Sequence, residues 1–183
     1  MLIYANSLFN NFEGDDFNQV RDNPYVHSIS NIPKLFTKGS IYKAASAETR
    51  SNYYRPVFSI IISLIYLFSH DNPIGFHLAQ IAIHIINASL LYYIFKFLLE
   101  KKTAFLLALI FLVHPINTEA VVSISAMQNI LFVSFGLLSI VLIIRDQKYL
   151  YKGLLSTLLL FSLLSKETGI LFFLIVPIFC YLY

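Results

Sequence analysis

Charge is scarce in this sequence. Of 183 residues, 13% are Asp, Glu, Lys or Arg and 57% are hydrophobic, whereas a soluble domain carries about 25% charged residues. With a mean hydropathy of +0.70, the chain reads as a membrane protein. The net charge of +3 is small and scattered, so no nucleic acid is expected as a partner. A single cysteine, Cys180, excludes an internal disulfide and leaves the redox compartment undetermined. There is no G-x-S-x-G, no glycine-rich phosphate cradle, no Cys-His arrangement and no H-E-x-x-H, which withdraws support from serine hydrolase, nucleotide-dependent and thiol chemistry. Internal repeats and a second, soluble domain are also missing.

What is present divides into a polar quarter and an oily remainder. Residues 10 to 55 hold most of the Asn and Asp, including the featureless "KGSIYKAASAETRSN", and are expected to lie outside the bilayer. The run at 57–69 is about thirteen residues, short for a span and suited to an interfacial helix. Crossing helices are expected over about 76–99, 103–114, 119–144, 149–165 and 169–183. The fold class is therefore all-α, a polytopic transmembrane helical bundle with a large first external loop over 11–75 that carries the short interfacial helix. Both ends look cut: residues 1–10 are expected to be the end of a truncated first transmembrane helix, and the chain to stop inside another.

Charge sets the expected orientation. Lys96, Lys101 and Lys102 gather at one joint, and Arg145, Lys148 and Lys152 at another two crossings later. Short cytoplasmic loops are enriched in Lys and Arg, so both joints are assigned to the cytoplasm and "HPINTE" and "SKETG" face outward. Three polar clusters then share the non-cytoplasmic face: Glu13, Asp15 and Asp16; His114 and Glu119; Lys166 and Glu167. About 16 Å of helix separates Thr103 from His114 at 1.5 Å per residue, less than the roughly 30 Å hydrocarbon thickness, so the second cluster is expected to sit recessed. Ionisable groups at membrane depth point to function.

Each group also has a plainer reading. Asp15 and Asp16 in a Gly-containing loop suit a solvated turn or helix cap. His114 and Pro115 suit a helix end, and Glu119 the positive end of the helix that it opens. Lys166 and Glu167 suit an interfacial ion pair, and Arg55 a head-group anchor. His77, Gln80, His84 and Asn87 fall on one face of a crossing helix; they suit bonding between helices, with His77, nearest the outer surface, as the one candidate for a substrate groove.

"FEGDDFNQVRDNPYV…IPKLFT", "YYRPVFSIIISLIY", "PIGFHLAQIAIHIINASLLYY", "HPINTEAVVSISAMQNIL" and "LLSKETGILF" occur in that order. Together they resemble the membrane half of the transmembrane, tetratricopeptide-repeat-containing O-mannosyltransferases and their bacterial relatives, within the GT-C glycosyltransferase superfamily. The resemblance implies an integral membrane protein of a bacterial inner membrane or the endoplasmic reticulum. It further implies an acidic catalytic motif in the first external loop, a polyprenyl-phosphate sugar donor, a protein or glycan acceptor and transfer outside the cytoplasm. A missing first helix, further helices and, in many members, tetratricopeptide repeats beyond Tyr183 follow as well, so a fragment of this extent is expected to be inactive. Two departures stand out. Asn117 replaces the second histidine of the usual "HPIHTEAV", and "AMQN" at 126–129 stands where "GR.D" is frequent.

Under that resemblance Asp15 is the candidate base that takes the acceptor's proton in an inverting transfer, with Asp16 orienting the acceptor. Arg55, Lys166 and His114 are the candidates for the donor phosphate, and Glu119, Glu167 and His77 for the pocket wall. No cofactor is certain; a divalent metal held by Asp15, Asp16 and Glu119 is left open. The competing class is a membrane transporter or a non-catalytic scaffold. A transporter would place its ionisable residues near the bilayer midplane, where His84 and Asn87 lie.

Overall fold

The computed structural model describes residues 2–43, 48–50, 53–145 and 151–182. Met1, Lys148, Tyr183 and the first two residues of the helix expected at 149–165 lie outside the described residues. A 3₁₀ helix over Leu2–Phe9 packs on the bundle through Tyr4, whose ring meets that of His84 edge to face. The polar segment then turns through Gly14 (φ +53°), a left-handed position that glycine adopts at little cost. It continues into a π-helical turn, Phe17–Arg21, and a short helix, α1 (Ile32–Leu35). Residues read from sequence as featureless contain an antiparallel pair of strands, β1 (Ile41–Lys43) with β2 (Glu48–Arg50), in the register Ile41 to Arg50.

The apolar remainder is helical: α2 (Pro56–Ser69), α3 (Pro73–Leu98), α4 (Lys101–Val113), α5 (Thr118–Val122), α6 (Met127–Arg145), α7 (Tyr151–Ser165) and α8 (Leu171–Leu182). Proline at the first turn opens α2 and α3, where its missing N–H costs nothing. Asn72 caps α3 by accepting from the N–H of Ile74 at 3.1 Å. Two stretches, Pro73–Leu98 and Ile124–Arg145, are long and apolar enough to cross a membrane, and a third qualifies if the bent pair Lys101–Val113 and Pro115–Val122 counts as one span. The helices at 152–165 and 167–181 are apolar but fall short of the roughly twenty residues that a straight span needs.

The crossing expected as one helix over 119–144 is interrupted. After α5, Ser123 adopts an extended conformation (φ −84°, ψ 124°), a 3₁₀ turn covers Ile124–Ala126, and α6 follows. In lipid such a break persists where its freed backbone groups find partners. Here the side-chain amide of Gln80 on α3 donates to the carbonyls of Ala120 and Ser123, at 2.7 and 2.6 Å. The buried carboxylate of Asp16 accepts from the N–H of Ser125 at 2.7 Å. One polar side chain of a helix and one from the external segment therefore hold the break.

Packing runs along α3 and α6, which lie parallel. Gln80 meets residues 120 and 123, Asn87 donates to the Ile130 carbonyl and accepts from Ser134 Oγ, and Ile94 clusters with Leu137 and Ile140. Along α7, Ser162 donates to the Phe132 carbonyl and, just beyond the helix end, Lys166 donates to Asn129, so α7 runs antiparallel to α6. At Gly136 the ring of Phe172 from α8 occupies the space that a Cβ would fill. A second apolar cluster joins the external segment to α2, α3 and α6 through Phe12, Val26, Phe58, Ile62, Phe76 and Met127. This arrangement puts Lys96, Lys101, Lys102 and Arg145 at one end of the bundle and the acidic segment, the α4–α5 turn and the α7–α8 joint at the other.

Candidate functional site

Two cavities meet at that second end. The first, about 590 Å³, is lined by the acidic turn (Glu13, Gly14, Asp15 and Asp16) and by Glu119 and Ser125 from across the bundle. Asp15 and Asp16, adjacent in sequence, part company here. Asp15 is exposed at the cavity wall. Asp16 is 2% exposed and accepts from the N–H groups of Glu13 (3.2 Å) and Ser125 (2.7 Å). Both of its oxygens are committed to backbone, so it locks the acidic turn onto the α5–α6 break.

The second cavity, about 530 Å³, lies between α3, α4, α6 and the α7–α8 joint. Asn129, Lys166 and Glu119 stand on its wall, with Phe132, Val133 and Leu171 on its apolar side and His84 and Asn87 at depth. Glu119 lines both cavities. The ammonium of Lys166 donates to the side-chain oxygen of Asn129, and its charge also acts on the neighbouring Glu167 carboxylate.

Arg55 is placed differently. Its Nε and Nη2 donate to the Glu167 carboxylate at 3.2, 3.3 and 2.9 Å, its Nη1 donates to Gln128 Oε1 at 2.6 Å, and the guanidinium lies 4.9 Å from the centre of the Tyr53 ring. Such a bidentate, stacked geometry suits a planar guanidinium. Burial raises the Glu167 carboxyl, yet the bonds and charge of Arg55, with help from the charge of Lys166, outweigh that and hold it below its ordinary value. The pair clasps the start of α2 to the α7–α8 joint across 112 positions of sequence.

His114 lines neither cavity. Its Nδ1 accepts from the N–H of Ile116, capping the turn after α4, and its carbonyl accepts from Tyr4. Asn117, at the position of the missing histidine, donates to the Phe111 carbonyl at 2.7 Å and closes the same turn. His77 is buried on α3 beside the Asn10 backbone, with neither ring nitrogen in a well-formed hydrogen bond. The rest of its stripe binds neighbouring helices: Gln80 and Asn87 as above, and His84 to the Leu112 carbonyl at 3.1 Å. Gln128 and Asn129 carry the polar contacts of Arg55 and Lys166, a role that sequence reasoning did not give them; their place in the departing "AMQN" was the available signal. For a metal, Asp15, Asp16 and Glu119 do share one cavity, but Asp16 is already bonded through both oxygens. Among the described residues no three His, Cys, Asp or Glu side chains gather closely enough to hold an ion.

Residues 54–183 match the family model described as dolichyl-phosphate-mannose-protein mannosyltransferase. The chain belongs to this family. Among curated relatives, it is 28% identical over 173 residues to a protein O-mannosyl-transferase of Caenorhabditis elegans, covering 92% of this chain and 25% of that protein. Similarity to protein O-mannosyl-transferase TMTC3 of Homo sapiens is 30% over 173 residues, covering 91% and 19%. For protein O-mannosyl-transferase TMTC1 of Homo sapiens it is 32% over 136 residues, covering 71% and 15%. The chain thus spans a quarter or less of the length of these relatives. No solved structure matches it. The family match begins just ahead of Arg55 and takes in Glu119, Lys166 and Glu167.

Proposed function

We propose that the protein is a glycosyltransferase that moves a mannose-like sugar from a polyprenyl-phosphate donor to a hydroxyl acceptor, such as a protein Ser or Thr, on the non-cytoplasmic face. The observation that carries this reading is Asp15, an exposed carboxylate on the wall of a cavity that meets, at Glu119, a second cavity bearing Lys166. Membership of the mannosyltransferase family and relatives named O-mannosyl-transferases support the reaction class. For the face, support comes from Lys96, Lys101, Lys102 and Arg145 at the far end of the bundle.

Asp15 accepts the proton of the acceptor hydroxyl as that oxygen forms its bond to the sugar's C1. The bond from C1 to the phosphate oxygen breaks with its electron pair, and the lipid phosphate departs from the opposite side, which inverts the anomeric centre. Negative charge grows on the departing phosphate, and a fixed cation beside it lowers the barrier. A transport path draws less support, because Gln80, His84 and Asn87 are each bonded to a neighbouring helix's carbonyl.

The test uses the complete gene product in lipid nanodiscs with radiolabelled polyprenyl-phosphate mannose and scores release of lipid phosphate. Loss of a general base costs about 10²–10⁴-fold, so Asp15→Asn is expected to reduce release by that order while the thermal melt stays in place. Undiminished release from Asp15→Asn removes the assignment.

A further inference from the structure

The joint between α3 and α4, Leu99 and Glu100, lies at the end of the bundle opposite the candidate site. The two helices run antiparallel from it: the rings of Tyr92 and Phe105 meet edge to face at 6.4 Å, and His84 reaches the Leu112 carbonyl at 3.1 Å. Between them opens a groove of about 430 Å³, walled by Ile85, Ser89 and Tyr92 on one side and by Phe105 and Leu112 on the other, with Ala108 in its floor. His84 and Asn87, which face the second cavity, point about 100° round the helix from their neighbours Ile85 and Ala88 in this groove. Both walls are helical stripes. Ile85, Ser89, Tyr92 and Lys96 follow at intervals of four, three and four, and Lys101, Phe105, Ala108 and Leu112 do the same in the other direction, so each stripe ends on a lysine. The Lys96 ammonium stands 6.0 Å from the centres of the Tyr92 and Tyr93 rings. Lys102 adds a third exposed cation, and the exposed Glu100 offsets one of the three.

We propose that this groove holds an anionic phospholipid of the adjoining leaflet, its phosphate between Lys96 and Lys101 and one acyl chain along Tyr92, Ser89 and Ile85. Charge selects the head group: basic pockets between helices at the bilayer surface suit anionic lipids, whereas the choline of a zwitterionic lipid cancels its own phosphate. Length selects the chain. Lys96 lies about 16 Å along the helix from Ile85 at 1.5 Å per residue, half of the roughly 30 Å hydrocarbon thickness, so the groove spans one leaflet with its cations at head-group level. A third helix is a poorer occupant. Small residues admit one by letting backbones approach closely, and here Ala88, Ala104 and Ala108 are already buried where α3 and α4 touch. At 13 residues α4 is too short to cross alone, and a lipid seated along it fixes its depth beside α3. This inference does not rest on sugar transfer.

Native mass spectrometry of the complete gene product in detergent, titrated with dioleoyl phosphatidylglycerol, counts the lipid retained. One phosphatidylglycerol is expected to bind at least tenfold more tightly than phosphatidylcholine with the same chains, and at least tenfold more tightly than glycerol 3-phosphate, which has none. Lys96→Gln combined with Lys101→Gln is expected to erase the preference over phosphatidylcholine, and Lys96→Arg with Lys101→Arg to keep it. Ser89→Phe fills the groove at an exposed position without altering charge and is expected to weaken phosphatidylglycerol at least tenfold; should the glutamine pair fail to fold, this variant decides. Arg145→Gln removes an exposed cation at the same end but outside the groove and is expected to leave binding unchanged. Equal losses in Arg145→Gln and the glutamine pair would reveal diffuse attraction to a basic surface, and undiminished binding by Ser89→Phe would place the lipid elsewhere; either result overturns the proposal. A dimer of the chain that excludes phosphatidylglycerol would overturn it too, with a second copy as the occupant.

Discussion

Along α3, Gln80, His84 and Asn87 are 0 to 1% exposed and each is bonded to a carbonyl of a neighbouring helix. At the end of the bundle, Asp15 and Glu119 are exposed, and Lys166 is half-buried beside the Asn129 amide and within reach of the Glu167 charge. Both groups interrupt an oily chain, and residue type does not separate them. Partner atoms do. An unpaired polar group inside lipid costs several kcal/mol, so each of the three residues on α3 is committed through at least one atom to holding helices together, while Gln80 Oε1 and His84 Nδ1 are buried without a partner. Those at the rim are wetted and keep unused bonding capacity, which is what a substrate requires. Asp15 and Asp16 show the same division between neighbours.

Exchanging those two neighbours breaks the comparison most sharply. Where Asp15→Asn is expected to lose turnover with an unmoved melt, Asp16→Ala strips the half-buried Ser125 N–H of its acceptor and leaves the Glu13 N–H without its own. An unsatisfied buried donor costs about 1–3 kcal/mol, more where the partner was charged. Thermal unfolding in detergent should report that loss for Asp16→Ala, with the acidic turn freed toward hydrogen exchange. Equal melts for the two variants would mean that Asp16 is no fastener. Next in size is Gln80→Leu, which strands the carbonyls of Ala120 and Ser123 at the break in the 118–145 stretch. Interhelical bonds of this kind are worth about 0.6–2 kcal/mol in membranes, and the melt is expected to fall accordingly. A melt unchanged by Gln80→Leu would return the break to the backbone's own preference.

Hydropathy and spacing made the all-helical bundle legible, because apolar runs of helical length leave few other folds in lipid. The inward stripe on α3 was legible for the same reason: intervals of three, four and three place its members on one face. The break at Ser123 was not, since neither proline nor glycine marks it and its cause lies in Gln80 and Asp16, distant in sequence. Nor did local pattern announce the pairing of 41–43 with 48–50, strands of three residues each. At the site, residue types identified Asp15, Glu119 and Lys166 as candidates. They gave no means of seeing that Arg55 and Glu167 would satisfy each other, or that His114 would cap a turn.

The Arg55–Glu167 clasp lies between the two groups, being buried on one side only. The side chain of Arg55 is 9% exposed and that of Glu167 58%, so solvent screens the pair and its contribution is the smallest of those considered. Its sign with pH is nonetheless fixed. Glu167, in the turn joining α7 to α8, is held below its ordinary value of 4.5, mainly because Arg55 outweighs the effect of burial. A carboxyl depressed in the folded state contributes stability that is fully present above its unfolded value and is lost as pH falls through its folded one. The melting difference between the unchanged protein and Glu167→Gln should therefore be constant from neutral pH down to about 5, then shrink as pH falls below 4.5. A difference that grows on acidification, or one confined to pH above 6, would show that Arg55 does not act through the charge of Glu167. The clasp would then be a hydrogen-bonded contact of the kind found along α3.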